Sequence, residues 1–403
     1  MNYTPQEVAQ YVREENVKFI RLAFCDVFGR QKNLAILPDE LERAFSYGIP
    51  FDASAIPGFG GEVRSDLILH PEPATLSSLP WHPENGRVVR MFCSITHPDG
   101  TPFEGDCRAL LRCAVEDAAK CGVSFAFGAE MEFYLFKTDE DGEPTTIPYD
   151  RAHYMDIAPD DKCETVRREI CLTLSQMGIQ PECAHHEEGP GQNEIDFRYS
   201  DPLSAADNAI TFRSVVKTIV ARSGLAADFS PKPLPNEAGN GMHINFSVRS
   251  EDGRDDLPFA IAGIMDKVRE LTLFLNPTED SYRRLGSNKA PGYITWSSEN
   301  RSQLIRIPAA PQEHYRAELR SPDPTANPYL AYALLIYAGL GGIKRKLPLP
   351  PSADVNLYTA DEETLSRYQH IPSSLHEAAA AARGSDFLHA HLPELILSAY
   401  CER

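Results

Sequence analysis

A strongly apolar stretch that carries two carboxylates constrains this chain more than any other feature. Residues 128–136 read GAEMEFYLF. Because side chains alternate across a strand, Glu130 and Glu132 share one face with Tyr134 and Phe136. In a half-buried carboxylate pair, repulsion and lost hydration raise the pKa of one carboxyl strongly unless a cation stands between them. The stretch therefore predicts a divalent metal site, or else a strand with a wet polar face, which is commoner for an isolated Glu-x-Glu.

The length of the chain predicts two domains. With 403 residues it exceeds one ordinary domain. The HPDGTP sequence of residues 97–102 is a strong turn signal. We therefore expect a domain over residues 1–100, formed by a small mixed sheet with two helices, and a larger domain over residues 101–403.

The net charge and the cysteines indicate which kinds of partner the protein binds and in which cellular compartment it folds. The net charge of -19 argues against nucleic acid or an anionic membrane as the main partner. The nine cysteines are an odd number without a C-x-x-C pair, which favours free thiols in a reducing cytoplasm. A capping-box sequence at residues 4–7, TPQE, predicts a helix near the start rather than a targeting segment, and no apolar run is long enough to span a bilayer.

Periodicity and capping signals place the other elements. Helices are predicted at residues 5–14, 38–47, 106–122, 164–177, 202–223 and 259–275. Strands are predicted at 17–24, 31–36, 66–70 and 87–96, and residues 51–59 are predicted to form a loop, because they are rich in small residues and turn formers.

Three further segments repeat the interleaving of chemical and apolar side chains. Residues 185–199 read HHEEGPGQNEIDFRY, and their glycines and proline predict a bend that brings Glu187 and Glu194 together. In residues 239–248, His243, Asn245 and Ser247 share a face. In residues 316–320 the shared face carries Arg316, Glu318 and Arg320. A lone histidine is more often a hydrogen-bonded core residue, but four such strands are hard to explain as solvated faces.

The combined donor set favours a particular chemistry. Five carboxylates and one imidazole favour magnesium or manganese over zinc or copper, and six ligands suit two neighbouring ions better than one. Arginine forks match phosphate and carboxylate oxygens, and hard cations beside arginines indicate phosphoryl chemistry. There is no Walker loop and no G-x-G-x-x-G. A nucleotide would therefore be held by metal, arginine and stacking. The arginines concerned are Arg284, Arg301, Arg306, Arg316 and Arg320.

At these residues the chain resembles the bacterial and archaeal type I glutamine synthetases. The likeness runs from Phe51 and Asp52 to residues 327–330, NPYL, through GQNE at 191–194, PKPL at 231–234, GMH at 241–243, NRS at 300–302 and ELR at 318–320. The resemblance implies an α+β fold, with an N-terminal β-grasp-like domain and a catalytic domain whose curved antiparallel sheet is flanked by helices, as in the glutamine synthetase/guanido kinase-like fold. It also implies a homo-oligomer of stacked six-membered rings, a dodecamer, with active sites between subunits.

The resemblance also assigns roles residue by residue. It implies two or more Mg²⁺ or Mn²⁺ ions, with Glu132, Glu187 and Glu194 on one and Glu130, His243 and Glu318 on the ion that touches ATP. It implies that Tyr199 and Ser247 bind the nucleotide and that Arg301 and Arg306 assist phosphate transfer. Glutamate would be bound by Gly239, Arg284, Arg316 and Arg320. Ammonium would be bound by Asp52 of a neighbouring subunit. The implied reaction passes through γ-glutamyl phosphate, from which an amine displaces phosphate.

Three departures from the family pattern fall near the acceptor and the nucleotide. The loop at residues 284–291 is one residue shorter than usual, and Lys289 stands where a glutamate normally helps to hold ammonium. A lysine there would repel ammonium by about 1–4 kcal/mol. Ala238 replaces an asparagine, and Asn245 replaces a histidine.

These departures leave the acceptor open. Either Glu299 or another group compensates for the missing glutamate, or the acceptor is not free ammonium. The main hypothesis is a glutamate–ammonia ligase. The alternatives are a γ-glutamyl ligase for an organic amine and a non-catalytic, ring-forming paralogue.

Overall fold

Two β-sheets form the framework of the chain. A computed structural model describes residues 3–61, 63–81, 86–287, 289–309 and 315–402. Within these ranges the first sheet has six strands and the second has nine. Helices cover the sheets, and one contiguous apolar core runs through both regions.

The six-stranded sheet is built from the first hundred residues. Its strand order is β2-β1-β6-β4-β3, with β5 paired to β6. Among the strand pairs of the described residues in this sheet, only β1 and β6 are parallel, so the sheet is mixed, as predicted. Strand β3 lies at an edge. The elements are β1 (Val17–Cys25), β2 (Gln31–Ile36), β3 (Ile49–Asp52), β4 (Asp66–Pro71), β5 (Ser77–Ser78), β6 (Arg87–Thr96), helices α1 (Pro5–Glu14) and α2 (Leu41–Tyr47), and 3₁₀ helices Pro38–Glu40 and Pro73–Thr75.

The nine-stranded sheet is predominantly antiparallel, with the order β13-β14-β15-β12-β7-β10-β9; β8 and β11 also pair with β7. Its central strand is the stretch predicted from residues 128–136, extended to 16 residues. The strands are β7 (Val123–Thr138), β8 (Pro144–Pro148), β9 (Pro181–His186), β10 (Gln192–Phe197), β11 (Leu225–Asp228), β12 (Met242–Ser250), β13 (Trp296–Ser298), β14 (Ile305–Ile307) and β15 (Ala317–Leu319).

Helices cover this sheet, and two of them begin at the caps predicted from the sequence. The Asp106 and Asp201 side chains accept backbone N–H groups of the first turns of their helices. The helices are α3 (Cys107–Lys120), α4 (Glu164–Gln176), α5 (Pro202–Arg222), α6 (Leu257–Leu275), α7 (Glu279–Arg284), α8 (Pro328–Arg345), α9 (Glu362–Leu365), α10 (Leu375–Arg383), α11 (Asp386–His391) and α12 (Glu394–Cys401). Among the described residues, none of the helices combines the length and apolar character needed to cross a membrane.

Buried polar contacts tie the N-terminal sheet to the helices. The carbonyl of Val27, in the turn after β1, accepts hydrogen bonds from Asn327 Nδ2 at 2.9 Å and Tyr400 Oη at 3.1 Å. Arg108 bridges Glu72 and Asp207, at 2.6 and 2.9 Å. A charge buried in this way is costly unless paired, so these contacts fix how the two regions pack. The boundary near residue 100 stays a prediction.

Helices α6 and α8 cross at glycines. A Cβ on Gly342 would lie 2.1 Å from the carbonyl oxygen of Phe259 and 2.7 Å from Gly263 Cα. The neighbouring Gly341 faces away, and a Cβ there would meet only Arg345, at 3.9 Å. Of these two glycines, only Gly342 lies where the helix backbones approach each other closely.

We predict that Gly342→Ala lowers the free energy of unfolding by about 1–3 kcal/mol, because the added methyl group forces the helices apart. The matched variant Gly341→Ala should be neutral or stabilising, since alanine favours a helix by about 1 kcal/mol over glycine. Denaturant unfolding of both variants measures the difference. Equal effects would contradict the close crossing.

Candidate active site

The pairing of strands β12, β7, β10 and β9 places chemical side chains in two rows across the nine-stranded sheet. In one row His243 pairs with Glu130, Glu130 with Asp196 and Asp196 with Cys183. In the next row Glu132 pairs with Glu194 and Glu194 with His185. The side chains of each row come from distant parts of the chain. The first row contains His243, Glu130, Asp196 and Cys183, and the second contains Glu132, Glu194 and His185.

The first predicted metal group is brought together. Glu130, His243 and Glu318 offer ligand atoms that all lie within 4.8 Å of one another. His243 Nδ1 is 3.3 Å from Glu130 Oε2 and 3.7 Å from Glu318 Oε1. Glu318 is fully buried and is compensated by Arg306, at 2.7 Å, and by Arg320. This group could hold a hard divalent cation.

The second predicted group is brought together in part. The bend between β9 and β10 places His185, Glu187 and Glu194 ligand atoms within 4.8 Å of one another, with Gly191 in the left-handed region at φ +71°. Glu132 lies outside this trio. Its Oε2 accepts the backbone N–H of Gly241 at 2.7 Å, and its Oε1 is 4.0 Å from His243 Nε2. Glu132 therefore lies beside the imidazole of the first group.

Three polar residues in these rows were not predicted as site residues: His185, Asp196 and Cys183. Glu130, Glu194 and Asp196 form another group of ligand atoms within 4.8 Å. Asp196 Oδ2 accepts a hydrogen bond from Cys183 Sγ at 2.6 Å, and its buried Oδ1 has no hydrogen-bond partner within the described part of the chain. The alternation Glu194-Ile195-Asp196 was the available signal, since it puts both carboxylates on one face.

The carboxylates of the rows oppose one another's ionisation. Burial, with repulsion from neighbouring carboxylates, raises the pKa of Glu132, Glu187 and Glu194 from 4.5 to about 7. Burial and Glu130 likewise raise the pKa of Asp196 to about 7. Such a concentration of negative charge fits divalent cations, as does the unpartnered Asp196 Oδ1.

The two histidines of the groups differ in charge. A hydrogen bond with Glu194 and nearby carboxylates raise the pKa of His185 to about 9, against the effect of burial. Burial, followed by Arg320, lowers the pKa of His243 to about 3. His243 is therefore a neutral imidazole at physiological pH, the form that binds a metal.

A buried ion pair lies behind the bend that carries Glu187. His186 donates from Nε2 to Asp150 Oδ1 at 2.9 Å and from Nδ1 to the Glu187 carbonyl at 2.6 Å. Asp150 also accepts the backbone N–H of Gly191 at 3.0 Å. Burial opposes both charges, but the mutual hydrogen bond raises the pKa of His186, and hydrogen bonds from His186 and Cys163 lower the pKa of Asp150. The pair therefore fixes both ends of the bend.

The predicted arginines surround the two metal groups. Arg284 is buried and donates to the Ser321 and Arg320 carbonyls at 2.7 and 3.3 Å. Arg316 donates to Asn245 Oδ1 at 3.0 Å, and Asn245 Nδ2 donates to Glu130 Oε1 at 2.8 Å. Asn245 thus links an arginine to a predicted metal ligand.

Two clefts open onto the rows and share part of their lining. The smaller, of about 680 Å³, is lined by the predicted metal ligands on β7, β10 and β12, by Glu187 in the bend, and by Gly239, Arg284, Arg301 and Arg320. The larger, of about 1340 Å³, is lined by Tyr199 and Ser247. Both are lined by Glu130, Asp196 and Arg316, so they form one funnel with two lobes.

The departures from the family pattern lie in or near the smaller lobe. Lys289 and Ala238 both line it. The carbonyl of Ala238 accepts a hydrogen bond from Tyr134 Oη at 2.7 Å. Among the described residues, Glu299 and Asp52 line neither lobe. Asp52 is exposed at the end of edge strand β3, and its carboxylate accepts the backbone N–H of Ser54 at 2.9 Å.

Fold and site first define a class: an α+β protein with a β-grasp-like N-terminal sheet and a funnel whose carboxylates and imidazoles could hold divalent metal ions. Two family models match the chain. One, described as the glutamine synthetase β-grasp domain, matches residues 16–98, and the other, the glutamine synthetase catalytic domain, matches residues 104–403. The chain belongs to the glutamine synthetase family.

Individual relatives agree with this assignment. A glutamine synthetase of Methanosarcina mazei is 43% identical over 413 residues, which cover 98% of this chain and 92% of that one. A Staphylococcus aureus glutamine synthetase is 41% identical, with coverage of 96% and 90%.

Solved structures share the fold. A structure titled GmaS/ADP complex superposes with a TM-score of 0.88 at 28% identity and covers 100% of this chain and 94% of that one. The cryo-EM structure of Plasmodium falciparum glutamine synthetase gives a TM-score of 0.87 at 22% identity, with coverage of 99% and 95%.

We predict that Asp150→Asn weakens Mn²⁺ binding about 10–100-fold, the usual cost of losing a group that orients metal ligands. The amide cannot neutralise His186, so the bend that carries Glu187 and Glu194 loosens. Calorimetric titration of chelator-treated protein measures the affinity. Asp39→Asn, an exposed change on the 3₁₀ helix, is the control. If folded Asp150→Asn binds Mn²⁺ with unchanged affinity, Asp150 does not position the metal ligands of the bend.

We also predict that, without metal, the protein becomes less stable as pH rises. The pKa values of Glu132, Glu187 and Glu194 are raised from 4.5 to about 7, so the folded protein holds protons that the unfolded chain releases in this window. Their contribution is fully present below pH 4.5 and is lost as pH rises through about 7. A divalent cation replaces the protons, so its stabilising effect should grow with pH.

Thermal unfolding with chelator and with Mg²⁺, at about pH 6 and about pH 8, tests this expectation. The metal-induced rise in midpoint should be larger at the higher pH, and Glu194→Gln should reduce that pH dependence. A rise of the same size at both pH values would contradict it.

Proposed function

We propose that this protein is an ATP-dependent ligase that joins glutamate to ammonia and forms glutamine through γ-glutamyl phosphate. The observation that supports this most directly is that five of the six predicted metal-binding side chains and the predicted arginines line one lobe of the funnel. The sixth, buried Glu318, offers a ligand atom within 4.8 Å of those of Glu130 and His243. Membership of the glutamine synthetase family supplies the reaction type.

The larger lobe suits the nucleotide. Tyr199 is 53% exposed and offers a free aromatic face for adenine, with Ser247 and Arg316 in the same lobe. Arg301 and Arg306 line the smaller lobe, where the phosphates of a nucleotide seated in the larger lobe would arrive. The Arg306 side chain is partly exposed, so its guanidinium can donate to a phosphate oxygen as well as to Glu318.

The smaller lobe suits glutamate. Gly239, Arg284 and Arg320 line it. A Cβ at Gly239 would be 2.4 Å from the Pro231 carbonyl oxygen and 2.9 Å from Arg284 Cγ, so glycine lets the backbone pack closely against the Arg284 side chain. Arg284 and Arg320 supply positive charge for the carboxylates of glutamate.

Glu130, His243 and Glu318 would hold one ion. Glu187 and Glu194 would hold another, with Glu132 and His185 nearby. Divalent ions bound there would neutralise phosphate charge and orient the reacting oxygens. The magnesium or manganese ions are part of this proposal, as are the individual roles of the residues.

Two displacements complete the reaction. The γ-carboxylate oxygen of glutamate bonds to the γ-phosphorus of ATP, and ADP leaves. The nitrogen of ammonia then bonds to the carbon of the γ-carboxyl group, and phosphate leaves with the oxygen that it acquired and with one proton from the nitrogen. Arg301 and Arg306 stabilise the charge on the phosphoryl group during transfer. Ammonium must first lose a proton, and we assign its removal to Asp52 of a neighbouring subunit.

This assignment requires a homo-oligomer. Asp52 lies on an exposed edge strand, outside both lobes of its own chain among the described residues, and the bonds from Ser54 lower its pKa, so it stays a carboxylate. We infer stacked hexameric rings in the cytoplasm, with residues 1–100 of one subunit completing the funnel formed by residues 101–403 of the next.

The second candidate is a γ-glutamyl ligase for an organic amine. Lys289 and Ala238 favour it, because both change the wall of the smaller lobe on the acceptor side. Phosphate release with ATP, magnesium and glutamate should be measured with ammonium and with a panel of primary amines. We expect turnover with ammonium. Turnover only with organic amines would support the second candidate, and metal and ATP binding without phosphate release would support a non-catalytic paralogue.

We predict that Glu318→Ala abolishes phosphate release with every acceptor, because it removes a ligand of the first metal group and leaves Arg306 and Arg320 unpaired. Glu130→Ala should do the same. Exposed Glu143→Ala, in the turn between β7 and β8, is the control. Normal turnover in folded Glu318→Ala would refute the metal assignment.

We predict that Asp52→Ala keeps ATP binding and raises the KM for ammonium. Co-expression of Asp52→Ala with Glu318→Ala subunits should restore activity above that of either variant, because mixed oligomers contain funnels with both residues intact. Nucleotide titration and ammonium kinetics on the purified mixtures provide the measurement. Lack of restoration in verified mixed oligomers would place Asp52 outside the shared site.

A further inference from the structure

Lys289 lies on the wall of the smaller lobe, where a cationic acceptor would enter. It lines this lobe together with Tyr154 and Glu187. Its Nζ is 5.4 Å from the centroid of the Tyr154 ring. An ammonium group at this place repels a second ammonium and attracts anions. Taken alone, Lys289 opposes the acceptor that the proposed function requires.

The structure pairs Lys289 with an acidic residue of the bend. Its Nζ forms a salt bridge with the carboxylate of Glu188, the residue after the predicted metal ligand Glu187. The backbone N–H of Glu188 donates to Glu187 Oε2 at 2.9 Å, so the two glutamates are held by one turn. The carboxylate of Glu188 is thus directed to Lys289, while that of Glu187 is directed to His185 and Glu194.

The backbone also limits where Lys289 can go. Lys289 has φ +67°, a conformation that residues other than glycine rarely adopt. Its carbonyl accepts a hydrogen bond from Arg320 Nη2 at 3.4 Å, and Arg320 is one of the arginines proposed to bind glutamate. Lys289 is therefore anchored to the glutamate side through its backbone and to the bend through its ammonium group.

We propose that Glu188 determines acceptor specificity, because it neutralises Lys289 and so lets the smaller lobe admit a small cationic amine, ammonium itself. This inference rests on the proposed function and names the charge class of its acceptor. The pair has no net charge, whereas Lys289 without Glu188 would present a positive charge beside Tyr154. The wall then discriminates between acceptors by their charge, and this discrimination depends on both Lys289 and Glu188.

The charge of the acceptor tests the proposal. Glu188→Gln keeps the shape of the side chain and leaves Lys289 uncompensated. The KM for ammonium should rise about two- to fivefold, the size expected for a half-exposed ion pair, with little change in kcat. The KM for hydroxylamine, an amine of similar size that is uncharged at neutral pH, should not change. The KM for anionic glutamate should not rise.

Compensating and control variants complete the design. Lys289→Met in the Glu188→Gln background should return the KM for ammonium to the wild-type value, because it removes the uncompensated charge. Glu143→Gln removes a carboxylate remote from the funnel and should change none of these constants. The double-variant cycle separates pairing from any independent effect of either side chain.

The outcomes distinguish this inference from the proposed function. If the wild-type protein turns over ammonium, but Glu188→Gln shifts the KM values of all acceptors equally or of none, the inference fails and the proposed function stands. Failure of Lys289→Met to restore the KM in the double variant also overturns the inference. If the wild type uses only organic amines, both fail.

Discussion

Repulsion among carboxylates gathered on one sheet governs the structure of this protein. Strands β7 and β10 place Glu132 opposite Glu194 and Glu130 opposite Asp196. An arrangement of this kind destabilises the chain when every group is ionised, so it persists only with compensation. Protons compensate in part, as the raised pKa values of the buried members show. Divalent cations would compensate more completely. The repulsion among the carboxylates in the absence of metal would then favour metal binding.

The rest of the fold holds these groups in place. The buried pair of Asp150 and His186 fixes the bend between β9 and β10, while Arg306 and Arg320 hold Glu318. Such charges stabilise little by themselves, because burying them costs hydration, but they restrict the position of their partners. The acceptor side is less constrained. Its ion pair of Lys289 and Glu188 is about half exposed, which suits a wall that tunes the entry of a substrate.

Much of the fold could be predicted from local sequence signals. The strand at Gln31–Ile36 and the strand at Arg87–Thr96 agree with the predicted bounds, because alternation and flanking turns define both. The helix from Pro38 was predicted as one element, whereas its first turn is a 3₁₀ helix before α2. The pairing order of the strands was not predictable, since it depends on contacts between residues far apart in sequence.

The sequence by itself determined which side chains could carry chemistry, because alternation fixes the face on which Glu130, Glu194, His243 and Glu318 lie, and family motifs connect them. Only the tertiary structure decided which of them meet. Strand register grouped His185 with Glu187 and Glu194 and placed Glu132 beside His243. It also paired Lys289 with Glu188, across 101 positions of the chain. Register follows from packing over the whole sheet, and local periodicity contains no information about it.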